Sequence, residues 1–333
     1  MADKKPTIYD VAKMTGVSPA TVSRVLNEPE KVAQDKRQKV FDAINELGFV
    51  PKAAAVVAAR KMYKKICVVA PFFSQSSFME RLRGVEEVLN DKHFEIVIYS
   101  IQTEEDLNDY IRMITTSNMT DGMILFSLVP NEKSQELLRN AAFPVCFVES
   151  SIDGFDSVVI NNESGGRLAA EYFYSKGCRN PAFIGEKSNK VYTVPATDDR
   201  FRGFKKFFSE KGIGIPEKNV WIGEFSKSNI DKEVRRFLSQ DNLPDCVFCS
   251  SDLVALSFMS AAKDVGVRVP EDMKVLGFDN IDIAKFVGLS TISQSLDESG
   301  RMAAECILSR LKKSGNSTFS ILVPINVIER KTT

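Results

Sequence analysis

The chain has a single histidine, His93, among 333 residues and no net charge. One imidazole supplies little acid–base capacity near neutral pH and no histidine cluster for a metal. No window approaches the roughly 18 consecutive apolar residues of a membrane span, so no membrane partner is expected. No apolar run follows the basic start as it would in a secretion leader, and a cytoplasmic location is expected. The phosphate-cradling Gly-x-x-x-x-Gly-Lys, the Gly-x-Gly-x-x-Gly turn and the Gly-x-Ser-x-Gly elbow are all missing. These absences argue against an enzyme, and no cofactor is expected. The six cysteines Cys67, Cys146, Cys178, Cys246, Cys249 and Cys306 lie mostly in apolar runs of a long chain, which favours reduced thiols over a disulfide framework. Cys246 and Cys249 have the spacing of a redox or zinc pair, but no second pair accompanies them. They read as core strand, and no metal site is expected.

What is present begins with an uneven distribution of charge. Through Lys61 there are eleven Lys and Arg against seven Asp and Glu, so the neutral total hides a basic head and an acidic body. Such a head attracts phosphates, although a surplus of this size is also ordinary on a solvated bundle. In that head, Thr7 followed three positions later by Asp10 is a capping-box-like start. Ile8, Val11 and Ala12 then share one helical face. Gly16 ends that helix, and Ser18-Pro19 restarts the chain as N-cap and first helical residue. Val22, Val25 and Leu26 form an inward face, leaving Pro19, Ala20, Thr21, Ser23, Arg24 and Asn27 outward. Hydroxyls, an amide and one guanidinium suit phosphates and the O6/N7 edge of guanine. A helical hairpin in a core would imitate the same spacing. Asp35 to Leu47 predicts a third helix with Val40, Phe41, Ile44 and Leu47 inward, stopped by Gly48.

The stretch from Thr7 through Thr21-Val22-Ser23-Arg24-Val25-Leu26-Asn27 resembles the head of the lactose-repressor and galactose-repressor family. The likeness continues through Leu47-Gly48-Phe49 and on to Arg330. The resemblance implies an effector-responsive transcription regulator, most often a repressor, that binds a pseudo-palindromic operator in double-stranded DNA as a homodimer. It implies that Pro19 and Ala20 choose bases, Arg24 reads a guanine, and Thr7, Tyr9, Thr21, Ser23 and Asn27 grip phosphates, with Ser18 opening the reading helix. It also makes residues 51–61 a hinge linker. There the sequence departs from the family: Lys52 replaces Asn, Val56 replaces Arg, and Ala58 stands where a Leu wedges between base pairs, so a weaker operator kink is expected. The chain has no apolar heptad tail, and a coiled-coil tetramer is not expected.

From Lys65 onward, short apolar runs alternate with helix-length amphipathic segments: Ile66–Ala70, Ile96–Tyr99, Met123–Phe126, Val145–Val148, Ala182–Ile184, Cys246–Cys249 and Val275–Phe278. Near-continuous strands separated by helices predict parallel sheets covered on both faces. The fold expected is therefore a small all-α helix-turn-helix head, residues 1–50, followed by an α/β domain, residues 62–333. By resemblance that domain has two lobes like a periplasmic sugar-binding protein. The N-lobe is expected over about 62–161 plus 293–323, and the C-lobe over about 162–290 plus 324–333. The crossings fall near Asn161-Asn162, Ser290-Thr291-Ile292 and Pro324.

Ligands of open parallel sheets lie beyond the carboxyl ends of the strands. Phe72, Phe73, Ser77, Phe78, Ser127, Glu149, Asp198, Arg200, Phe225, Ser251, Asp279 and Gln294 fall at such places and are candidate effector contacts. Phe72 and Phe73 also read as plain core, Ser251 as only a helix cap, and Arg200 as only a brace. Arg200-Phe201-Arg202-Gly203-Phe204 resembles the family's Arg-x-x-Gly-Phe, and Gly277-Phe278-Asp279-Asn280 its effector loop. Asp198 replaces an Arg of sugar-responsive members, and Ser251 an Asn. A small, sugar-like effector is expected, and a ligand carrying an amino group suits Asp198 equally. A sugar-transport binding protein or an enzyme on the same lobes is the alternative reading.

Overall fold

The computed structural model describes residues 6–27, 32–47, 49, 62–71, 75–117, 119–187, 190–224, 226–312 and 317–333, with the side chains of 26, 27, 45 and 227 left aside. The linker 51–61, with Ala58, lies outside the described residues, as do Phe72, Phe73 and Phe225.

The head consists of α1 (Ile8–Thr15), α2 (Pro19–Asn27) and α3 (Gln34–Leu47). Thr7 and Asp10 open α1: the Thr7 amide and hydroxyl both donate to Asp10 Oδ2, at 2.7 and 2.6 Å. Gly16 closes it at φ 70°, a left-handed conformation that glycine adopts without a Cβ clash. Ser18 Oγ accepts the Thr21 N–H at 3.1 Å, which satisfies one of the free amides at the start of α2. Val11, Ala12, Val22, Val25, Val40 and Ala43 form the buried core. Phe41 departs from the sequence expectation at 39 % exposed. It lies one residue from Val40, about 100° around the helix, off the stripe that Val40, Ala43, Ile44 and Leu47 make.

The larger unit is built on two six-stranded sheets. The first holds β1 (Lys65–Ala70), β2 (Glu95–Ser100), β3 (Gly122–Phe126), β4 (Val145–Val148), β5 (Asp156–Val159) and β11 (Ser320–Leu322). The second holds β6 (Pro181–Glu186), β7 (Val220–Gly223), β8 (Cys246–Cys249), β9 (Lys274–Asp279), β10 (Ser290–Ser293) and β12 (Asn326–Ile328). Their spatial orders are β2-β1-β3-β4-β5-β11 and β7-β6-β8-β9-β10-β12, one topology used twice. The β10–β12 ladder is antiparallel, whereas the other registered pairs are parallel.

Ser290–Ser293 pairs with both β9 and β12, so the second crossing follows Ser293, just beyond the Ser290-Thr291-Ile292 near which it was expected. The hydroxyl-rich sequence of that strand, unlike its apolar neighbours, conceals a fully buried element. Of the covering helices, α4 (Ser76–Asn90) and α12 (Leu296–Lys312) pack together on the first sheet, and α7 (Asn162–Ser175) and α8 (Ala196–Glu210) pack together on the second. Both pairs meet at glycines. A Cβ on Gly300 would lie 1.9 Å from the Arg81 carbonyl oxygen, and one on Gly166 would lie 1.8 Å from that of Arg200. Backbones this close admit no side chain at either position. Between them, α5 (Glu104–Ser117) and α6 (Glu132–Arg139) complete the first lobe; α9 (Lys227–Leu238), α10 (Asp252–Asp264) and α11 (Asp282–Val287) complete the second. No helix among the described residues is long and apolar enough to cross a membrane.

Candidate functional site

On the head, the outward side of α2 and the start of α1 carry the residues expected to meet DNA. Tyr9 is 70 % exposed, and Thr7, Ser18, Ala20 and Arg24 are exposed, while Pro19, Thr21 and Ser23 are half-buried. The Asn27 side chain lies outside the described residues. Because Thr7 gives both of its donors to Asp10, it can donate to a phosphate only by releasing that carboxylate. Ser18 Oγ and Thr21 Oγ1 lie 2.9 Å apart. Arg24 is exposed on the same helix, and a guanidinium is a group that can bind a base edge through two hydrogen bonds.

In the larger unit, a cavity of about 350 Å³ opens where the strand order reverses in both sheets, beyond the carboxyl ends of β1, β3, β6 and β8. It brings together Ser77, Phe78, Ser127, Asp198, Arg200, Ser251 and Asp279 from the sequence reading, with Glu149 and Gln294 beside them. Several backbones at its wall take positive φ without being glycine: Ser127 at 56°, Glu149 at 69° and Asp279 at 117°, followed by Asn280 at 60°. Strained residues clustered at strand ends persist where surrounding structure fixes them, as at ligand sites.

A continuous chain of buried and half-buried polar groups crosses the cavity. Ser127 Oγ donates to Glu149, and Arg81 Nη2 donates to the other oxygen of the same carboxylate. Arg81 Nη2 also reaches Gln294 Oε1 at 3.0 Å, and Gln294 Nε2 donates to Asp279 Oδ1 at 2.5 Å. Asp279 faces the Arg200 guanidinium at 3.8 Å. Arg200 is braced as well: it donates to Asn162 Oδ1 at 2.8 Å and the Ser250 carbonyl at 2.5 Å, and its guanidinium carbon stands 3.6 Å from the Phe278 ring centre. Burial lowers its pKa from the usual guanidinium value.

Burial also pushes the Asp279 carboxyl up to about 6 despite the opposing pull of Arg200 and Arg81. Asp252, behind it at the start of α10, is raised to about 8 by burial and by Asp279, while the Thr291 hydroxyl at 2.5 Å and the Ile281 N–H at 2.9 Å favour its charge. Glu186, at the end of β6 in the same lobe, also lines the cavity and is raised by burial alone. Ser251 does cap α10, accepting the Val254 N–H at 3.3 Å, while it also lines the cavity. Phe78 stacks edge-on to Phe126 at 5.4 Å.

Arg81 was not among the sequence candidates. It sits in mid-helix, away from any strand end, but Arg81-Leu82-Arg83-Gly84-Val85 repeats the pattern of Arg200-Phe201-Arg202-Gly203-Phe204. The repeat was the available signal. Its Nε is buried with no hydrogen-bond partner, a donor held ready for an acceptor. Lys187, Lys190, Thr193 and Thr197 also reach the cavity from segments that the strand-end argument does not search.

The chain matches two family descriptions, "Bacterial regulatory proteins, lacI family" over residues 7–52 and "Periplasmic binding protein-like domain" over residues 170–333. It is 31 % identical over 332 residues to the HTH-type transcriptional regulator RegA of Clostridium saccharobutylicum, covering 98 % of this chain and 99 % of RegA. It is 29 % identical over 315 residues to the HTH-type transcriptional repressor PurR of Photobacterium profundum, covering 92 % of each. Among solved structures, a LacI-family transcriptional regulator from Silicibacter pomeroyi superposes with a TM-score of 0.82 at 26 % identity, covering 98 % and 99 % of the two chains. The lac repressor dimer bound to operator and the anti-inducer ONPF gives 0.81 at 21 %, with 99 % of each covered. The regulator CelR in complex with cellobiose gives 0.70 at 24 %, with 98 % of this chain and all of CelR covered. These last two are likenesses of fold. With head and lobes matched over nearly its whole length by helix-turn-helix regulators and by no enzyme among them, the chain belongs to the lacI family of bacterial regulatory proteins, a transcription regulator whose DNA binding is governed through an effector domain.

Proposed function

We propose that the protein acts in the cytoplasm as a homodimeric repressor of operator DNA, released or fastened by a small sugar-like molecule held between its two lobes. The head at residues 1–50 reads the operator, with Pro19, Ala20 and Arg24 toward bases and Tyr9, Thr21, Ser23 and Asn27 toward phosphates. Residues 51–61 link it to an effector domain of residues 62–333. The dimer is supported by the fold shared with the lac repressor dimer and by an apolar face on α11, where Phe286 is 84 % exposed beside Ile283 and Val287.

The observation that carries the effector reading is the polar chain Glu149–Arg81–Gln294–Asp279–Arg200, which runs from one lobe to the other through the crossing segment. A ring of hydroxyls can donate to the two carboxylates and accept from the two guanidiniums, exchanging existing partners for equivalent ones. Arg81 Nε gains a partner it lacks. The volume, about 350 Å³, falls at the small end of ligand sites, which span roughly 300 to 1,000 Å³, and suits a compact ligand. Cellobiose in CelR is a ligand of this class. Asp198 on the wall adds a carboxylate that an amino sugar would match.

The test is a gel shift on promoter fragments from the source genome, repeated with a panel of neutral sugars and amino sugars. Operator affinity should change by about 1 to 3 kcal/mol with one of them, the usual size of an allosteric coupling. A protein that binds sugars but no fragment would be a transport-type binder; one that binds DNA with no response to any sugar would remove the sugar assignment.

A further inference from the structure

Six cysteines in the effector domain are reduced and buried, and the spacing that attracted attention in the sequence pairs the wrong two. Cys246 and Cys249 stand three apart on β8, so their side chains leave opposite faces of the sheet. Cys249 joins the core under α10. Cys246 instead meets Cys178, which follows the glycine turn after α7. Both sulfurs and a carboxylate oxygen of Asp245 lie within 4.8 Å of one another.

The carboxylate is aimed by its neighbours. Asp245 Oδ2 accepts the N–H groups of Arg179 at 2.5 Å and Asn180 at 3.0 Å, the kind of support that orients metal-binding carboxylates. Its other oxygen, Oδ1, is buried with no N–H or O–H donor reaching it. We propose that Cys178, Cys246 and Asp245 form a binding site for a thiophilic divalent cation of the zinc class, with water completing the coordination.

Size and chemistry both fit. Two thiolates about 2.3 Å from a tetrahedral Zn²⁺ stand about 3.8 Å apart, and a carboxylate oxygen at about 2.1 Å stands slightly nearer to each, all inside the observed spacing. Two thiolates and a carboxylate match the mixed sulfur and oxygen sets that zinc accepts. Binding forms two metal–sulfur bonds and one metal–oxygen bond, and the thiol protons pass to solvent. A disulfide between the two sulfurs would need an oxidant and would leave Asp245 Oδ1 without a partner, which favours the metal. The site tethers the turn after α7 to the foot of β8, at the end of the sheet opposite the effector cavity.

The experiment uses the full-length, reduced, chelator-treated protein titrated with Cd²⁺, read by its thiolate-to-metal charge-transfer absorption. One equivalent is expected to raise the band, to release one to two protons into weak buffer and to raise the melting temperature. Cys178→Ser and Cys246→Ser should each abolish the one-equivalent step, Asp245→Asn should weaken it about tenfold or more, and Cys249→Ala should retain it. Proton release and band intensity are measured on the natural sequence, so a variant that fails to fold does not decide the matter. No band at stoichiometric Cd²⁺, or the same step in Cys178→Ser, would overturn the site. Loss of two hydrogens across Cys178 and Cys246 under mild peroxide with no metal band would replace it with a redox pair.

Discussion

Gln294 donates its side-chain amide to Asp279 Oδ1 at 2.5 Å, from the segment by which the chain leaves the second lobe for the first. The same side chain accepts from Arg81 on the other side. Asp279 is thus anchored to the crossing itself, and a ligand that takes its carboxylate must compete with Gln294. Asp279→Asn keeps the shape but removes the charge that Arg200 and the ligand share. Calorimetry with a sugar that binds the natural protein should show a loss of about 1.5 to 3 kcal/mol, the worth of a hydrogen bond to a charged group. An unchanged dissociation constant would remove Asp279 from the effector site.

Asp252 gives stability a pH dependence opposite to that of an ordinary salt-bridged carboxylate. Its folded-state pKa is raised to about 8, so the folded protein keeps a proton that the unfolded chain has released. The stabilisation is fully present below the unfolded value, near 4, and is lost as pH rises through about 8. One such group contributes a fall of about 1.4 kcal/mol per pH unit in that window. Urea midpoints measured from pH 5 to pH 8 should decline for the natural protein and be flatter for Asp252→Asn.

Arg24→Ala should cost about 1 to 3 kcal/mol of operator binding and relax discrimination at one base position. Equal losses on operator and on random DNA of the same length would reduce Arg24 to a phosphate contact.

Gly300→Ala should destabilise the effector domain by about 1 to 3 kcal/mol, because its new methyl would lie 1.9 Å from the Arg81 carbonyl and α4 and α12 must separate to accept it. Urea denaturation measures the loss, and weakened ligand binding should accompany it as Arg81 moves with its helix.

Phe286→Asp places a charge on the exposed apolar face of α11. If the proposed homodimer pairs through this face, light scattering should find dimers for the natural sequence and monomers for the variant. Persistence of the dimer would move the interface elsewhere.

The head was legible because its information is local. Thr7, Gly16, Ser18 and Pro19 punctuate helices within a few residues, and among the described side chains Phe41, beside the true stripe, departs from the inward reading. The strands fully buried in apolar residues, such as Gly122–Phe126, were equally plain. Asp156–Val159 and Ser290–Ser293 were not, because their polar side chains are buried by specific partners. Asp156 is paired with Arg310, and Ser290 takes hydrogen bonds with Thr333 and the Arg330 N–H. Such partnerships come from distant sequence and leave no periodic trace.

The duplication is also legible in the sequence. Gly166-Arg167-Leu168-Ala169-Ala170-Glu171 and Gly300-Arg301-Met302-Ala303-Ala304-Glu305 are nearly the same phrase, each seating the helix that carries a cavity arginine. Aligning the two halves would have found Arg81 from Arg200.

That the segment at 294 to 295 is at once a crossing and a cavity wall makes it a fulcrum. A ligand seated beside a pivot works on a short lever arm, where displacements are small and forces are large. If the lobes turn about this segment, a modest rearrangement of Gln294 between Asp279 and Arg81 would correspond to a wide swing at the far rims of the lobes, with no long reach required of the ligand. Selectivity among effectors would then rest on which polar groups fit against the pivot in one angular setting and not another, and molecules of nearly equal affinity would differ in the torque they exert.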